Sequence, residues 1–130
     1  MASKKKPREV DILMLAALRE LQIGEVFHEL RVNESRRWKF DFAIPEMMLA
    51  VEIEGGISKF ARFHPEWKTM RHQTGKGAAD DCEKYATAVA NGWTLFRFTT
   101  EMVRNGSAAQ FLHKWNKNRL EHSWSVVEGE

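Results

Sequence analysis

Three acidic side chains on two neighbouring predicted strands are the groups in this chain best suited to chemistry. Asp41 lies in one strand, and Glu52 and Glu54 lie two residues apart in the next. Side chains alternate across a strand, so Glu52 and Glu54 point to one face, within reach of Asp41 on the partner strand. Carboxylates this close repel one another, and a hard divalent ion such as Mg²⁺ relieves the repulsion. Such an ion can also prepare a water molecule for attack on phosphorus.

We expect that ion to be Mg²⁺, with Mn²⁺ as a substitute, held by one or two of these carboxylates, a backbone carbonyl such as that of Ile53, and water molecules. The five histidines and one cysteine form no short-spaced ligand pair of the kind that zinc sites use, so the carboxylates favour the harder ion. The alternative interpretation of the same residues is a solvated acidic face of a sheet.

Hydrophobic periodicity predicts the elements that position these groups. An amphipathic helix ends near Gly24, and alternating residues predict strands over 26–32, 37–44 and 48–54, with Pro45 in the turn of a hairpin. A second helix is predicted over 79–91, a fourth strand over 93–98, a short turn capped by Thr100, and a last helix that begins with a capping box at Ser107. The predicted fold is α/β: an αβββαβ core with a mixed sheet flanked by helices, and an extra C-terminal helix.

The same periodicity predicts which side chains face inward. The inward residues are Val10, Leu13, Met14, Ala17, Leu18 and Leu21 in the first helix; Trp38, Phe40, Phe42 and Ile44 in the second strand; Ala79, Cys82, Ala86, Val89 and Ala90 in the second helix; and Phe111, Leu112 and Trp115 in the last. Trp38, Trp93 and Trp115 are the tryptophans expected in the core.

Composition narrows the class of protein. The 130 residues suit one domain over 9–120, with a basic flexible arm over 1–8 and a tail over 121–130. A net charge of +2 excludes a purely electrostatic, histone-like binder of nucleic acid. The single cysteine argues against a disulfide framework, and no run approaches the roughly 18 apolar residues of a membrane-spanning helix. We therefore expect a soluble cytoplasmic protein with no membrane partner.

A long irregular stretch over 57–78 carries basic residues interleaved with aromatic ones. Positive side chains there can neutralise phosphates, and rings can stack on unpaired bases. His72 is a candidate for proton transfer or phosphate binding, although a single loop histidine also fits a structural role. The side chains expected to contact nucleic acid are Arg37, Lys59, Arg62, Lys68, Arg71, Gln73 and Lys76.

The order of elements, with Asp41 in the segment RRWKFDF and Glu52 in LAVEIEGG, resembles the PD-(D/E)XK nuclease superfamily. Within it the chain is most similar to small endonuclease domains related to very-short-patch repair enzymes and to short phage-type proteins. The resemblance implies that Asp41 and Glu52 are metal ligands and that Glu29 is a further candidate ligand or, equally, a surface partner of an arginine. Glu54 occupies the position where the superfamily often has lysine. Lys84 on the second helix is the candidate substitute, and an ordinary surface lysine is the alternative.

The resemblance implies metal-dependent cleavage of DNA phosphodiester bonds. The small size favours an enzyme selective for branched, nicked or junction DNA, including a Holliday-junction resolvase that works as a homodimer, without a small-molecule cofactor. It also implies the cytoplasm of a bacterial or phage-infected cell. Two alternatives remain open: a noncatalytic nucleic-acid-binding module of the same fold, and a structural or inhibitory protein whose acidic face binds a basic partner.

Overall fold

A computed structural model of the chain describes residues 8–32, 35–55 and 75–122, with side chains described over 79–121 in the last stretch. The elements in chain order are α1 (Glu9–Glu20), β1 (Phe27–Arg31), β2 (Lys39–Ile44), a 3₁₀ turn (Pro45–Met47), β3 (Leu49–Glu54), α2 (Gly75–Ala90), β4 (Thr94–Thr99), α3 (Thr100–Arg104) and α4 (Ser107–His122). The predicted αβββαβ order with an extra C-terminal helix is confirmed.

The four strands form one mixed sheet in the order β1-β2-β3-β4. β1 pairs with β2 and β2 with β3 in antiparallel fashion, whereas β3 and β4 are parallel, as the helical crossover between them requires. The parallel register sets Glu52 beside Arg97 and Glu54 beside Thr99. Two neighbours of the acidic residues are therefore decided by strand pairing across a long separation in sequence.

The larger hydrophobic cluster lies between one face of the sheet, α1 and the C-terminal helices. Its buried members are Val10, Met14, Leu18, Leu21, Phe42, Ile44, Leu49, Val51, Ile53, Phe98, Val103, Ala108 and Leu112. Val10, Met14, Leu18 and Leu21 of α1 are buried as predicted. Ala17 is only half-buried, and Leu13 is 41% exposed because the buried face is rotated toward Asp11. In α4 the prediction is right for Leu112 and wrong for Phe111, which is 49% exposed at the edge of the buried stripe.

The buried face of α2 is opposite to the predicted one. Val89 is 58% exposed, and Ala79, Cys82, Ala86 and Ala90 are exposed as well. The helix turns Lys84, Tyr85 and Ala88 toward the sheet instead. The physical reason is that the sheet face beneath α2 carries Glu52 and Glu54, so polar partners stabilise the contact better than an alanine stripe would.

A smaller cluster between α2 and the sheet contains Phe40, which was predicted on the face of Phe42. Phe40 packs with Ala50 and Ala88, whereas Phe42 lies in the larger cluster on the other face. The alternation of β2 is therefore interrupted at Asp41. The three tryptophans expected in the core are each half-buried.

Several element boundaries also differ from the prediction. α2 begins at Gly75 rather than 79. Thr99, not Thr100, caps α3 by accepting a hydrogen bond from the Met102 N–H at 3.1 Å. The predicted capping box is absent at Ser107, whose N–H donates to Asn105 Oδ1 at 2.9 Å.

The end of α2 is determined by Gly92, as predicted. Its φ of +96° suits glycine. The Gly92 N–H donates to the Val89 carbonyl and the Trp93 N–H to the Ala88 carbonyl, both at 3.0 Å, which is the hydrogen-bond pattern of a Schellman motif. This turn places the Trp93 ring against the smaller cluster. Within the described residues, no helix combines the length and apolar character needed to cross a bilayer.

The position of α4 can be tested with two leucines of that helix. Leu112 is fully buried, and Leu120 is 59% exposed. We expect Leu112→Ala to lower the free energy of unfolding by about 3 kcal/mol, because it leaves a cavity in the larger cluster. Leu120→Ala should change it by less than about 0.5 kcal/mol. Urea unfolding of both variants measures the difference, and equal effects would contradict the described packing.

Candidate functional site

Asp41 and Glu52 meet where the regular pairing of β2 with β3 stops. The pairing runs as far as Phe42 with Val51, and Asp41 and Glu52 come next on their strands. At this point the Ile53 N–H donates to Asp41 Oδ2 at 2.7 Å, and the Asp41 N–H donates to Glu52 Oε1 at 3.3 Å. Carboxylate oxygens thus take the place of backbone carbonyls as acceptors. This exchange holds both carboxyl groups at one point of the sheet.

Both carboxyl groups have a raised pKa. For Asp41 the largest cause is burial, which disfavours the charged form, and the Ile53 N–H and the nearby cations oppose it. For Glu52 burial is again the largest cause, and the charge of Asp41 raises its pKa further. Each ionised carboxylate therefore destabilises the other in surroundings that solvate both poorly.

Lys84 reaches this pair of carboxylates from α2. Its Nζ lies 3.0 Å from Glu52 Oε1, and each of the two side chains is 12% exposed. The charge of Lys84 lowers the pKa of both acids, without cancelling the effect of burial. The structure thus brings Lys84 to the predicted site, although its catalytic role stays a prediction.

Glu54 takes part in a separate ion pair. Its Oε1 accepts hydrogen bonds from Arg97 Nε at 2.8 Å and from the Tyr85 hydroxyl at 3.4 Å. The Arg97 guanidinium also lies 4.4 Å from the centroid of the Tyr85 ring. Burial, followed by the charges of Glu52 and Glu54, raises the pKa of Tyr85, so its hydroxyl stays protonated and donates.

The predicted convergence of three carboxylates on one ion is therefore not observed. Within residues 8–32, 35–55 and 75–122, no three His, Cys, Asp or Glu side chains are grouped so as to hold a metal ion. The physical reason is Arg97, which stands beside Glu52 in the strand register and binds Glu54. Asp41 and Glu52 form a two-carboxylate site, and Glu54 stands at its edge.

The structure also describes two further residues that were predicted as metal ligands, Glu29 and Ile53. Glu29 is exposed on the edge strand β1, at the level of Asp41 in the β1–β2 register. Its φ of +58° lies in the left-handed region that few non-glycine residues adopt, so β1 is distorted where the β2–β3 pairing stops. Ile53 contacts Asp41 through its N–H, and the use of its carbonyl as a ligand stays a prediction, as does that of Glu29.

Most side chains predicted to contact nucleic acid fall outside the described part of the chain. Arg37 is exposed just before β2. Lys76 belongs to α2 by its backbone, and its side chain is not among those described. The residues that lie outside the described stretches are Lys59, Arg62, Lys68, Arg71, His72 and Gln73.

An ion pair beside the site was missed by the sequence reasoning. Arg8, assigned to the basic arm, is the N-cap of α1 and donates to both carboxylate oxygens of Asp11 at 3.2 and 3.0 Å. Asp11 is 9% exposed, and the charges of both residues act on Asp41. A Cβ added at Gly55 would lie 3.7 Å from the Arg8 guanidinium, so Arg8 is close to the end of β3. The sequence did contain a signal for the burial of Asp11, because its spacing from Met14 and Leu18 places all three on one helical face.

Arg97 and Tyr85 were also missed as partners of the acids. Arg97 alternates with Phe96 and Phe98 in β4, and this alternation alone places it on the other face of the sheet from Phe98. Tyr85 is the only tyrosine of the chain and follows Lys84 directly. Their pairing with Glu54 could not be read from spacing, because it depends on the strand register.

The donor set fits a hard divalent cation as a two-ligand site. Asp41 and Glu52 are half-buried and are oriented by N–H groups, and burial is the largest cause of the raised pKa of both. A cation between them would remove the repulsion that Lys84 compensates only in part. Mg²⁺ sites of this kind use one or two carboxylates and leave the other positions to water and phosphate.

Comparisons with known proteins leave the family open. No protein-family model matches the chain, and neither a curated protein nor a solved structure matches it. Any function is therefore argued from the residues and their geometry.

Burial disfavours the charge of Asp41, so an uncharged residue at this position should stabilise the fold. Asp41→Asn keeps an acceptor for the Ile53 N–H and removes the repulsion with Glu52. With EDTA present, we expect the variant to be more stable at pH 7 by about 1 kcal/mol, a value that allows for solvent screening of the partly exposed group. The gain should shrink as pH falls, because native Asp41 with its raised pKa takes a proton before the unfolded chain does. It should vanish below the ordinary value of 3.8.

Urea unfolding at pH 7 and pH 3.5 measures this effect. The exposed Asp81 on α2 offers a matched control, and Asp81→Asn should change stability by less than about 0.5 kcal/mol at either pH. A loss of stability in Asp41→Asn at pH 7 would show that the charge of Asp41 stabilises the fold.

Replacement of Lys84 by an uncharged residue should destabilise the fold. Lys84→Met keeps the aliphatic length but leaves Glu52 without its cation, so we expect a loss of about 2 kcal/mol at pH 8. The loss should be smaller near pH 3, well below the ordinary value of 4.5 for Glu52, where its carboxyl is protonated in both states. Thermal unfolding across this pH range is the measurement, with the exposed Lys114→Met as the control. A pH-independent loss would contradict the ion pair as its cause.

Proposed function

We propose that the protein is a divalent-metal-dependent endonuclease of the PD-(D/E)XK type that hydrolyses phosphodiester bonds in DNA. The observation that carries the proposal is the meeting of Asp41, Glu52 and Lys84 at the interrupted β2–β3 pairing. An αβββαβ core with a β3 that bears Glu52 is the setting in which the resembled superfamily has its metal ligands. The raised pKa of both acids supports a functional rather than a merely solubilising role.

In the proposed mechanism Asp41 and Glu52 would hold the cation. A bound divalent cation would polarise a phosphate oxygen and make a bound water molecule more acidic. The Ile53 N–H fixes the orientation of Asp41, and the Asp41 N–H fixes that of Glu52. Such hydrogen bonds to ligand atoms limit the loss of side-chain freedom when the ion binds.

Lys84 is proposed to perform the role of the lysine that the superfamily often has at the position of Glu54. The Lys84 Nζ lies 3.0 Å from Glu52 Oε1, so the ammonium is close enough to the carboxylate pair to donate a hydrogen bond to a phosphate oxygen that gains charge during the reaction. Glu54 cannot do this, because it is negative and bound by Arg97. Arg97 in turn keeps Glu54 from repelling the phosphate. The long basic stretch over 57–78, with its His72, is proposed to contact the DNA backbone or transfer a proton.

Branched, nicked or junction DNA is the proposed substrate class, and a homodimer suits a junction with two strands to cut. A single domain of this size offers little surface for direct reading of a long base sequence. Mg²⁺ is the proposed cofactor, with Mn²⁺ as its substitute.

One observation favours a second candidate, a noncatalytic DNA-binding module of the same fold. Lys84 pairs with Glu52 at 3.0 Å, and Glu54 stands where the superfamily often has lysine. A site that relies on such an ion pair would retain the fold and the DNA surface without turnover.

Cleavage assays distinguish the two candidates. The full chain is incubated with labelled four-way junction, flap, linear duplex and single-stranded DNA in Mg²⁺, Mn²⁺ or EDTA. We expect cutting only with a metal ion, loss of cutting in Glu52→Gln, and a reduction of about a hundredfold in Lys84→Met. Glu20→Gln, an exposed acid on α1, is the matched control and should cut normally.

A thermal-shift measurement accompanies the assay. Mg²⁺ or Mn²⁺ should raise the unfolding temperature of the parent chain and leave that of Asp41→Asn unchanged. DNA binding without cutting of any substrate in either metal would overturn the nuclease proposal and support the binding module. Cutting that persists in Glu52→Gln would remove the carboxylate pair from the mechanism.

A further inference from the structure

The Arg97 guanidinium is held in one place on the sheet face beneath α2. Its Nε donates a hydrogen bond to Glu54 Oε1 at 2.8 Å, and its Cζ lies 4.4 Å from the centroid of the Tyr85 ring. The Tyr85 hydroxyl donates to the same Glu54 oxygen at 3.4 Å. A carboxylate at one edge and a ring against one face together restrict the position and the tilt of the guanidinium.

These contacts leave the outer edge of Arg97 accessible. A guanidinium carries five N–H groups, and Glu54 accepts only the one on Nε. Among the described residues, neither Nη group of Arg97 donates a hydrogen bond. The Arg97 side chain is 47% exposed, whereas that of Glu54 is 16% exposed. The ion pair therefore presents N–H donors, rather than a carboxylate, to a molecule that approaches from solvent.

A second arginine provides a comparison with an ordinary surface ion pair. Arg104 Nε donates to Glu9 Oε1 at 3.1 Å, but the two side chains are 56% and 68% exposed. Among the described residues, no aromatic ring stacks on the Arg104 guanidinium. Arg97 differs because its partner is shielded and a ring supports it. Fixing a long side chain costs conformational entropy, and a ligand that binds to an already fixed group avoids that cost.

Arg97 is also close to the place where a phosphate would meet the carboxylate pair. The parallel pairing of β3 with β4 sets Arg97 beside Glu52. Lys84 Nζ lies 5.6 Å and Arg97 Cζ lies 4.4 Å from the centroid of the same Tyr85 ring, so the two charged groups are no more than about 10 Å apart. Successive phosphates of one DNA strand are about 3.4 Å apart along the helix axis. Two cations at this separation can therefore contact neighbouring phosphates.

We propose that Arg97 binds the DNA phosphate next to the one at Lys84 and the carboxylate pair. The proposal rests on the proposed nuclease function and adds a second phosphate-binding position to the same site. The planar guanidinium can donate to two phosphate oxygens through its Nη groups. Glu54 and Tyr85 are positioning residues in this arrangement, because they act on DNA only through Arg97. An acid at the position where the superfamily often has lysine thereby has a role of its own.

The salt dependence of DNA binding tests the phosphate contact. Binding by the full chain is measured in EDTA, so that nothing is cut, at several salt concentrations. The probe is the labelled four-way junction or flap that the parent chain binds more tightly, because a branch point fixes the position of the protein. We expect Arg97→Gln to bind about tenfold more weakly. It should also lower the slope of log affinity against log salt by about 1, the value for one lost phosphate contact.

Arg104→Gln is the matched control for this measurement. It also breaks an Nε–carboxylate pair, but it lies among the helices on the other face of the sheet, so affinity and salt slope should stay unchanged. Circular dichroism and urea unfolding show that each variant is folded.

Two further variants test whether Glu54 acts by positioning Arg97. Glu54→Gln keeps an acceptor for Arg97 Nε but removes the negative charge, so the guanidinium attracts phosphate more strongly and binding should become about threefold tighter. Arg97→Lys keeps the positive charge but lacks the Nε donor and the planar fork. It should bind about threefold more weakly than the parent chain with an unchanged salt slope. An ion pair that serves only the fold would make Glu54→Gln bind no more tightly than the parent.

Uncharged phosphates locate the contact on the DNA. In a series of the same branched DNA, one phosphate at a time is replaced by a neutral methylphosphonate. We expect the parent chain to lose affinity at two neighbouring phosphates. Arg97→Gln should show no loss at one of them and Lys84→Met no loss at the other, because a variant that lacks a contact cannot lose it again.

The outcomes separate this proposal from the proposed function. Equal affinity and salt slope in Arg97→Gln and the parent, with cutting of DNA in Mg²⁺ intact, would overturn the Arg97 proposal alone. Loss of affinity by Arg97→Gln at the same two phosphates as the parent would also overturn it. The expected effects of Arg97→Gln and Glu54→Gln, in a protein that cuts no substrate, would support the Arg97 contact and overturn the nuclease function. Absence of binding to either branched DNA would overturn both.

Discussion

The burial of two carboxyl groups at one point of the sheet is the constraint on which the rest of this structure depends. Asp41 and Glu52 replace backbone acceptors where the β2–β3 pairing stops, and both have a raised pKa because burial disfavours their charge. A helix that covers this face must bring positive charge to it. This requirement explains why α2 turns Lys84 inward and leaves Val89 in solvent.

Around that point the charges are arranged as three neighbouring ion pairs. Lys84 binds Glu52, Arg97 binds Glu54, and Arg8 binds Asp11. Asp41 has an N–H donor but no directly bound cation among the described ion pairs. Its carboxylate is therefore the group whose charge is compensated least, and a divalent cation would gain most there. We expect the fold to be less stable than it would be with an uncharged site, because both acids have a raised pKa.

α2 covers both the carboxylate pair and the smaller cluster. Lys84 faces the acids, and one turn later Ala88 packs in the smaller cluster with Phe40. The Schellman turn at Gly92 then directs Trp93 back onto Phe40. One helix thus fixes the position of Lys84 relative to the acids and to the ring of Phe40.

The sequence by itself determined the order of the elements, the mixed sheet, the glycine at the end of α2 and the two acids of the site. These follow from local periodicity and from residue types that few conformations tolerate, as at Gly92. Only the tertiary structure decided which face of α2 is buried, on which side Phe40 packs, and that Glu54 pairs with Arg97. Each of these depends on contacts between residues far apart in the chain, where strand register and the need to neutralise buried charge outweigh the local apolar pattern. The buried Asp11 was overlooked although its partner Arg8 lies only three residues away; its effect on the charge of Asp41, in contrast, arises only in the fold.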